Sequence, residues 1–178
     1  MTIKSLRGKL PEYAKDTKIN LGKLVSGDDV AGLTTNQAYG IALASAYATK
    51  QQDVICAVNE QVADTLSDAE VQAAKAAATI MGMNNIYYRF VHLVSDADYQ
   101  KMPAGLRMNI IANSGIDKID FELMSLAVSA INGCGMCIDA HVHEVVKGGV
   151  SKQGVQSTIK IASVLGATAQ AMVIEEVS

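Results

Sequence analysis

The strongest constraint on the fold lies at the C-terminal end of the chain. After Ser151, a residue that caps helices, Val155, Ile159, Ala162, Gly166, Ala169 and Val173 follow at steps of four and three. That spacing places them on one continuous stripe of an α-helix. Gly148 and Gly149, just before, read as the stop of a preceding helix. No stretch of the chain alternates with period two for long enough to compete as a sheet. Composition agrees: 49% of the 178 residues are hydrophobic, yet aromatics are only 4%, with no Trp, two Phe and two Pro. The apolar content is Ala, Leu, Val, Ile and Met, of which Ala and Met favour helix over strand. The expectation is an all-α fold.

Helix signals recur along the chain. Pro11 is placed to open a helix at its first position, running through Tyr13 to Leu24. Thr34-Thr35-Asn36-Gln37 fits a capping box ahead of a helix over 38–48, and 53–66 reads as another amphipathic piece. Ser67-Asp68-Ala69-Glu70 is a second capping box, opening a long Ala-rich segment toward Tyr88. Pro103 and Gly105 punctuate a loop, and Asp120 is positioned to cap a helix over 121–131. No linker, repeat or low-complexity tract intervenes, so residues 1–178 read as a single helical domain.

Charge excludes some functions. Fifteen Lys and Arg against 18 Asp and Glu give a net charge of -3, without a basic stripe, which disfavours nucleic acid and anionic membrane as partners. A charged fraction of 19% is low for a small monomer and hints at a buried oligomer surface. The longest uncharged run, 30–49, holds too many hydroxyls and amides for a membrane span, and residues 1–10 lack the apolar core of a signal peptide. A soluble cytoplasmic protein is expected.

The cysteines are Cys56, Cys134 and Cys137. An odd, low count does not make a secreted disulfide framework. Cys134 and Cys137 form a Cys-x-x-Cys directly after Asn132-Gly133, a helix break, so the first cysteine falls at the start of a new helix over 134–147. With Cys134 set at zero, Cys137 comes at about -60° and His141 at about -20°, on one narrow face, whereas His143 comes at about 180°. A thiolate is favoured near a helix N-terminus, and an imidazole one turn along can take up or return its proton. A disulfide enclosing two residues adds little stability by loop entropy, so it suits redox work better than stapling.

Glu122 lies on an otherwise apolar helix, with Ser125 and Ser129 continuing a thin polar seam, and a carboxylate there needs a partner. If the chain doubles back at Gly133, Glu122 moves level with His141, and a carboxylate–imidazole–thiol relay becomes available. Other readings stand beside this one. Cys134, Cys137 and His141, with Glu122 as a fourth ligand, match a zinc-binding interaction module, although no second Cys-x-x-Cys exists to complete a structural site. Two buried thiols and a buried structural carboxylate are the plainest reading. His92, His143 and Lys147 read as structural or surface groups, Cys56 as a buried inert thiol, and Met81 and Met83 as core filler.

Several segments together resemble the alkyl hydroperoxidase D (AhpD) family, within the carboxymuconolactone decarboxylase-like superfamily. They are residues 10–16, Met81-Gly82-Met83-Asn84-Asn85 with Tyr88-Arg89, residues 105–113, Phe121-Glu122-Leu123, and Ser129 to Cys134. The resemblance covers essentially the whole chain. It implies a compact helical fold, a homotrimer, and an antioxidant thiol-dependent peroxidase with no bound cofactor. In that scheme the Cys-x-x-Cys passes electrons from dihydrolipoamide, carried on the lipoylated acyltransferase of a 2-oxo acid dehydrogenase, to the peroxiredoxin alkyl hydroperoxide reductase C. It also reduces alkyl hydroperoxides directly.

By position, the resemblance makes Cys137 the exposed, peroxide-reacting cysteine that forms a sulfenic acid. Cys134 becomes the resolving cysteine and proton donor, and His141 and Glu122 the proton relay. Many members carry His directly before the second cysteine; here that residue is Met136, so any charge assistance from it is absent. A decarboxylase or isomerase on the same fold is the alternative enzyme, and it would not need both cysteines.

Overall fold

In the computed structural model, which describes residues 1–25 and 30–177, every regular element among the described residues is helical. The elements are α1 (Ile3–Lys9), a 3-10 turn (Glu12–Ala14), α2 (Lys15–Leu24), α3 (Thr35–Thr49), α4 (Gln52–Val62) and α5 (Asp68–Leu93). After these come α6 (Asp98–Lys101), a second 3-10 turn (Asn109–Ile111), α7 (Lys118–Asn132), α8 (Gly135–Lys147) and α9 (Lys152–Val177).

α3 is the hub. It packs on α5, α7, α9 and α4, and Ala38 to Ala46 is buried on every face. A helix surrounded on all sides needs small side chains so that its neighbours can approach, and five of these nine residues are Ala or Gly. Its N-terminus is the expected capping box: Thr34 Oγ1 accepts from Gln37 N–H, and Gln37 Oε1 accepts from Thr34 N–H. Ser67 and Glu70 repeat the device at α5.

α9 is amphipathic as expected, but the buried stripe is displaced by about one residue from the apolar spacing. Its inward residues include Gly154, Thr158, Ile161, Leu165, Thr168 and Met172 together with Ala162 and Ala169 of the expected spacing, whereas Val173 is exposed. The hydroxyls escape the usual penalty by turning back on their own helix: Thr158 Oγ1 donates to Gly154 O at 3.0 Å and Thr168 Oγ1 to Val164 O at 2.8 Å. α9 is long and apolar enough by length and composition to cross a membrane, yet half of its most apolar window is buried inside the protein.

Other boundaries differ for local reasons. Pro11 does not begin a helix; its ψ of 174° is extended, the 3-10 turn follows, and α2 starts only at Lys15. α1, which precedes it under a Thr2–Ser5 capping box, is not anticipated from composition. α4 stops at Val62 rather than continuing to Leu66. Asp117, not Asp120, caps α7, its Oδ1 accepting from Ile119 N–H at 2.7 Å. Asp120 lies in the first turn and instead accepts from Gln37 Nε2 at 2.8 Å.

Candidate active site

The site is built by the α7–α8 hairpin and closed by α5. α7 ends at Gly133, whose φ of 70° lies in the left-handed region that glycine enters without a Cβ penalty. Cys134 then caps α8: its Sγ accepts from the N–H of Cys137 at 3.3 Å. Because Cys134 is the cap, its own backbone is extended, and the helical wheel holds only from Gly135 onward. Cys134 and Cys137 are joined as a disulfide, with Cα atoms 5.3 Å apart. Both lie inside the protein, Cys134 at 0% exposure and Cys137 at 7%. Cys137 is thus the more accessible of the two but not the exposed cysteine that the resemblance implies, because packing against α5 and the second 3-10 turn covers it.

The reversal at Gly133 brings α7 back alongside α8, and Glu122 stands level with His141. Glu122 Oε2 is 2.6 Å from His141 Nδ1, with the carboxylate buried and the ring nearly so. Nδ1–H donating to the carboxylate fixes the ring orientation and leaves Nε2 as the second face of the imidazole. Nε2 lies 3.3 Å from the sulfur of Met81. His143 is exposed on the far side of α8, and His92 and Lys147 are exposed as well.

Cys137 and His141 open together onto a cavity of about 260 Å³. Its other walls come from α5 (Met81, Asn84, Tyr88), from the second 3-10 turn and the residue before it (Met108, Ile111), and from Met136 and Ala140 of α8. Met81 is therefore more than filler, since it touches the imidazole and lines the chamber. Asn84 and Tyr88 are missed by residue-type reasoning. The signal for them is the unusual Met-Gly-Met-Asn-Asn run with Tyr88-Arg89 after it, and the residues these face on α8 lie about 50 positions along the chain.

A polar frame braces the hairpin from the neighbouring face of α5. Asn85 Nδ2 donates to Ser129 Oγ at 2.9 Å, Asn132 Nδ2 donates to Asn85 Oδ1 at 3.0 Å, and Arg89 Nη1 donates to Asn132 O at 2.7 Å. Ser129 is one end of the seam that includes Glu122, so the seam runs from the carboxylate to the helix break. Near the far end of the hairpin, Lys118 and Glu144 form an ion pair. The lysine ammonium holds the Glu144 carboxyl below its ordinary range, and the carboxylate raises Lys118.

Comparison with known proteins decides the family. The Carboxymuconolactone decarboxylase family model matches residues 97–177, which include the disulfide, Glu122 and His141. The chain is 54% identical over 173 residues to the alkyl hydroperoxide reductase AhpD of Coxiella burnetii (strain RSA 493 / Nine Mile phase I), covering 97% of this chain and 98% of that protein. It is 50% identical to the protein of that name from Brucella abortus (strain 2308), covering 97% of each. It is also 50% identical to that of Rhodospirillum centenum (strain ATCC 51521 / SW), covering 95% of this chain and 89% of the relative. The chain belongs to the AhpD family. In this AhpD family member Cys56 is not the buried thiol expected; it sits on the solvent side of α4, whose core face is Val54, Ala57, Val58 and Val62. Among the described residues of this AhpD family member, no three His, Cys, Asp or Glu side chains gather as a metal site.

Proposed function

We propose that this chain is a thiol-dependent peroxidase and disulfide reductase. Cys137 is the cysteine that reacts with peroxide, Cys134 resolves it, and the His141–Glu122 pair moves the proton. The observation that carries this reading is the disulfide at the start of α8, its more accessible sulfur opening with His141 onto one cavity. The names of the relatives, alkyl hydroperoxide reductase, support the same class of substrate.

The chemistry closes in three steps. The Cys137 thiolate attacks the terminal oxygen of a hydroperoxide, giving a sulfenic acid and an alcohol. Cys134 attacks that sulfenic sulfur, forming the disulfide and releasing water. A dithiol then attacks Cys137 Sγ, Cys134 leaves as a thiolate, and a second thiolate of the donor completes the exchange. The order of the cysteines has a physical basis here. Cys134 Sγ faces the N–H of Cys137 at the positive end of α8, which stabilises negative charge on it as the leaving group. Cys137 is the sulfur that a substrate in the cavity meets.

The electron donor in this reading is dihydrolipoamide on the lipoylated acyltransferase of a 2-oxo acid dehydrogenase, and the acceptor is the peroxiredoxin alkyl hydroperoxide reductase C. The reducing cytoplasm is the compartment, and a homotrimer is the assembly. Exposed Ile86, Phe90 and Leu93 on the C-terminal half of α5, with Tyr99 and Met102 after it, support a surface that another subunit covers. A coupled assay tests the function. Dihydrolipoamide, this protein, a two-cysteine peroxiredoxin and an alkyl hydroperoxide are combined, and each component is omitted in turn. Peroxide consumption is expected to need the first two and to rise with the third. Consumption that is independent of this protein would refute the reading.

A further inference from the structure

We infer that Asn84 is a substrate-contacting residue of this site, its side-chain amide holding the O–O head of an organic hydroperoxide beside Cys137. The inference rests on the peroxidase reading above and adds to it a residue for the oxidative half of the cycle.

Two adjacent buried amides on α5 behave differently. Asn85 is used at both ends, donating to Ser129 and accepting from Asn132. Asn84, 4% exposed, lines the cavity of Cys137 and His141, and its buried Oδ1 has no hydrogen-bond partner. A buried carbonyl left unpaired is costly, so it is expected to meet a partner in some state of the protein. The other polar groups of the cavity are already engaged. His141 has Glu122 on one nitrogen and Met81 on the other, Tyr88 Oη lies 4.0 Å from the sulfur of Met108, and Cys137 is in the disulfide. Among the described polar side chains that line this cavity, Asn84 is the one with a buried atom, Oδ1, that has no partner.

An alkyl hydroperoxide complements that arrangement. Its alkyl group suits walls made of Met81, Met108 and Ile111, and its head carries one O–H donor and two acceptor oxygens. The amide carries the matching acceptor and donor. As Cys137 Sγ bonds to the terminal oxygen, the O–O bond breaks and its electron pair goes to the inner oxygen. Sulfur is oxidised to the sulfenic acid, and the peroxide is reduced by two electrons. The alkoxide takes the proton that His141 received from the thiol and leaves as the alcohol. Asn84 Oδ1 accepts from the terminal hydroxyl, and Asn84 Nδ2–H donates to the inner oxygen as its charge grows. A fixed dipole aimed at developing charge needs no reorganisation during the reaction.

The test separates the two half-reactions. Wild type and Asn84→Leu are reduced, freed of reductant and mixed with cumene hydroperoxide, and the loss of thiols is followed in a single turnover. Reduction of each oxidised protein by dihydrolipoamide is measured separately. Asn84→Leu is expected to slow oxidation about 10²-fold, and to leave reduction within about threefold of wild type. Unchanged oxidation, or equal slowing of both halves, would overturn the inference, the latter marking a purely structural residue. Should Asn84→Leu fail to fold, Asn84→Asp keeps the shape and places a carboxylate where alkoxide charge develops. It is expected to slow the same half, and normal oxidation in that variant would likewise overturn the inference. A wild type inert to the hydroperoxide refutes the peroxidase reading itself, and is thereby distinct from failure of the Asn84 assignment alone.

Discussion

Glu122 Oε2 and His141 Nδ1 stand 2.6 Å apart across the α7–α8 turn, the carboxylate on an otherwise apolar helix and the imidazole beside the Cys137 opening. A buried carboxylate without a partner would be costly, and an imidazole without an orienting group would leave Nε2 undirected. The pair solves both problems at once. His141→Ala is expected to lower hydroperoxide turnover about 10²- to 10³-fold, the range for loss of a positioned acid–base group. Glu122→Gln keeps an acceptor for Nδ1–H, so its loss is expected to be smaller, about tenfold. Equal losses in the two variants would show that the carboxylate does more than orient the ring.

The two cysteines predict opposite chemical traces. Cys134→Ser leaves Cys137 able to be oxidised but with nothing to condense with, so a sulfenic acid is expected to accumulate. A 1,3-diketone probe then adds to residue 137, as intact-protein and peptide mass spectrometry would report. Cys137→Ser is expected to lose hydroperoxide turnover and to give no adduct at residue 134, which is fully buried. An adduct at 134 in that variant would reverse the assignment.

Much of this arrangement is legible in the amino-acid sequence, and the parts that are not have physical reasons. The hairpin follows from Asn132-Gly133, because a glycine in the left-handed region ends a helix whatever surrounds it. The Glu122–His141 meeting follows from that reversal together with the need of a buried carboxylate for a partner. The face of α9 is less legible. Thr158, Thr168 and Ser157 look polar in sequence, but the two threonines bond to the carbonyl one turn back and Ser157 bonds to Ala31 O, so all three pack inward. Asp117 and Asp120 are equally good caps by type, and only the packing of Gln37 against Asp120 distinguishes them. Cys56 is misjudged from residue type alone, since the apolar spacing of Val54, Ala57, Val58 and Val62 already places it on the opposite side of α4. Met81, Asn84 and Tyr88 are recruited by packing of α5 on α8, a contact between distant segments that no local pattern encodes.

Gly154 gives a test of close packing. A Cβ there would run into the carbonyl oxygen of Gly32 and lie 2.9 Å from Val150 Cγ1, and Gly32 itself has a φ of +80°. In an open helix Gly→Ala gains about 1 kcal/mol, whereas overpacking against backbone costs about 1–3 kcal/mol. Gly154→Ala is therefore expected to destabilise. Gly166 lies on the same helix, and a Cβ added there would meet nothing within 4 Å, so Gly166→Ala is expected to stabilise by up to about 1 kcal/mol. Chemical denaturation of the two variants should move in opposite directions, and a shared sign would discount the Gly32 contact.

The capping box of α5 should carry a pH dependence. Burial pushes the Glu70 carboxyl up, but hydrogen bonds from the Asn36 amide and from the backbone and hydroxyl of Ser67 together hold it below its ordinary value. A carboxyl lowered in the folded state contributes stability above the unfolded pKa, and that contribution is lost as pH falls through the folded pKa. Ser67 Oγ and Ser67 N–H both donate to Glu70 Oε2, at 2.7 and 2.8 Å, so these bonds weaken when Glu70 is protonated. The bond from Glu70 N–H to Ser67 Oγ persists at any pH. Ser67→Ala is expected to cost about 1 kcal/mol at pH 7. The gap from wild type should narrow, without vanishing, as the pH falls below about 4, the ordinary range of a glutamate. Urea unfolding of both proteins at neutral and acid pH reads this difference. A gap of constant size would mean that the hydroxyl acts only as an acceptor for the helix N-terminus, with the carboxylate uninvolved.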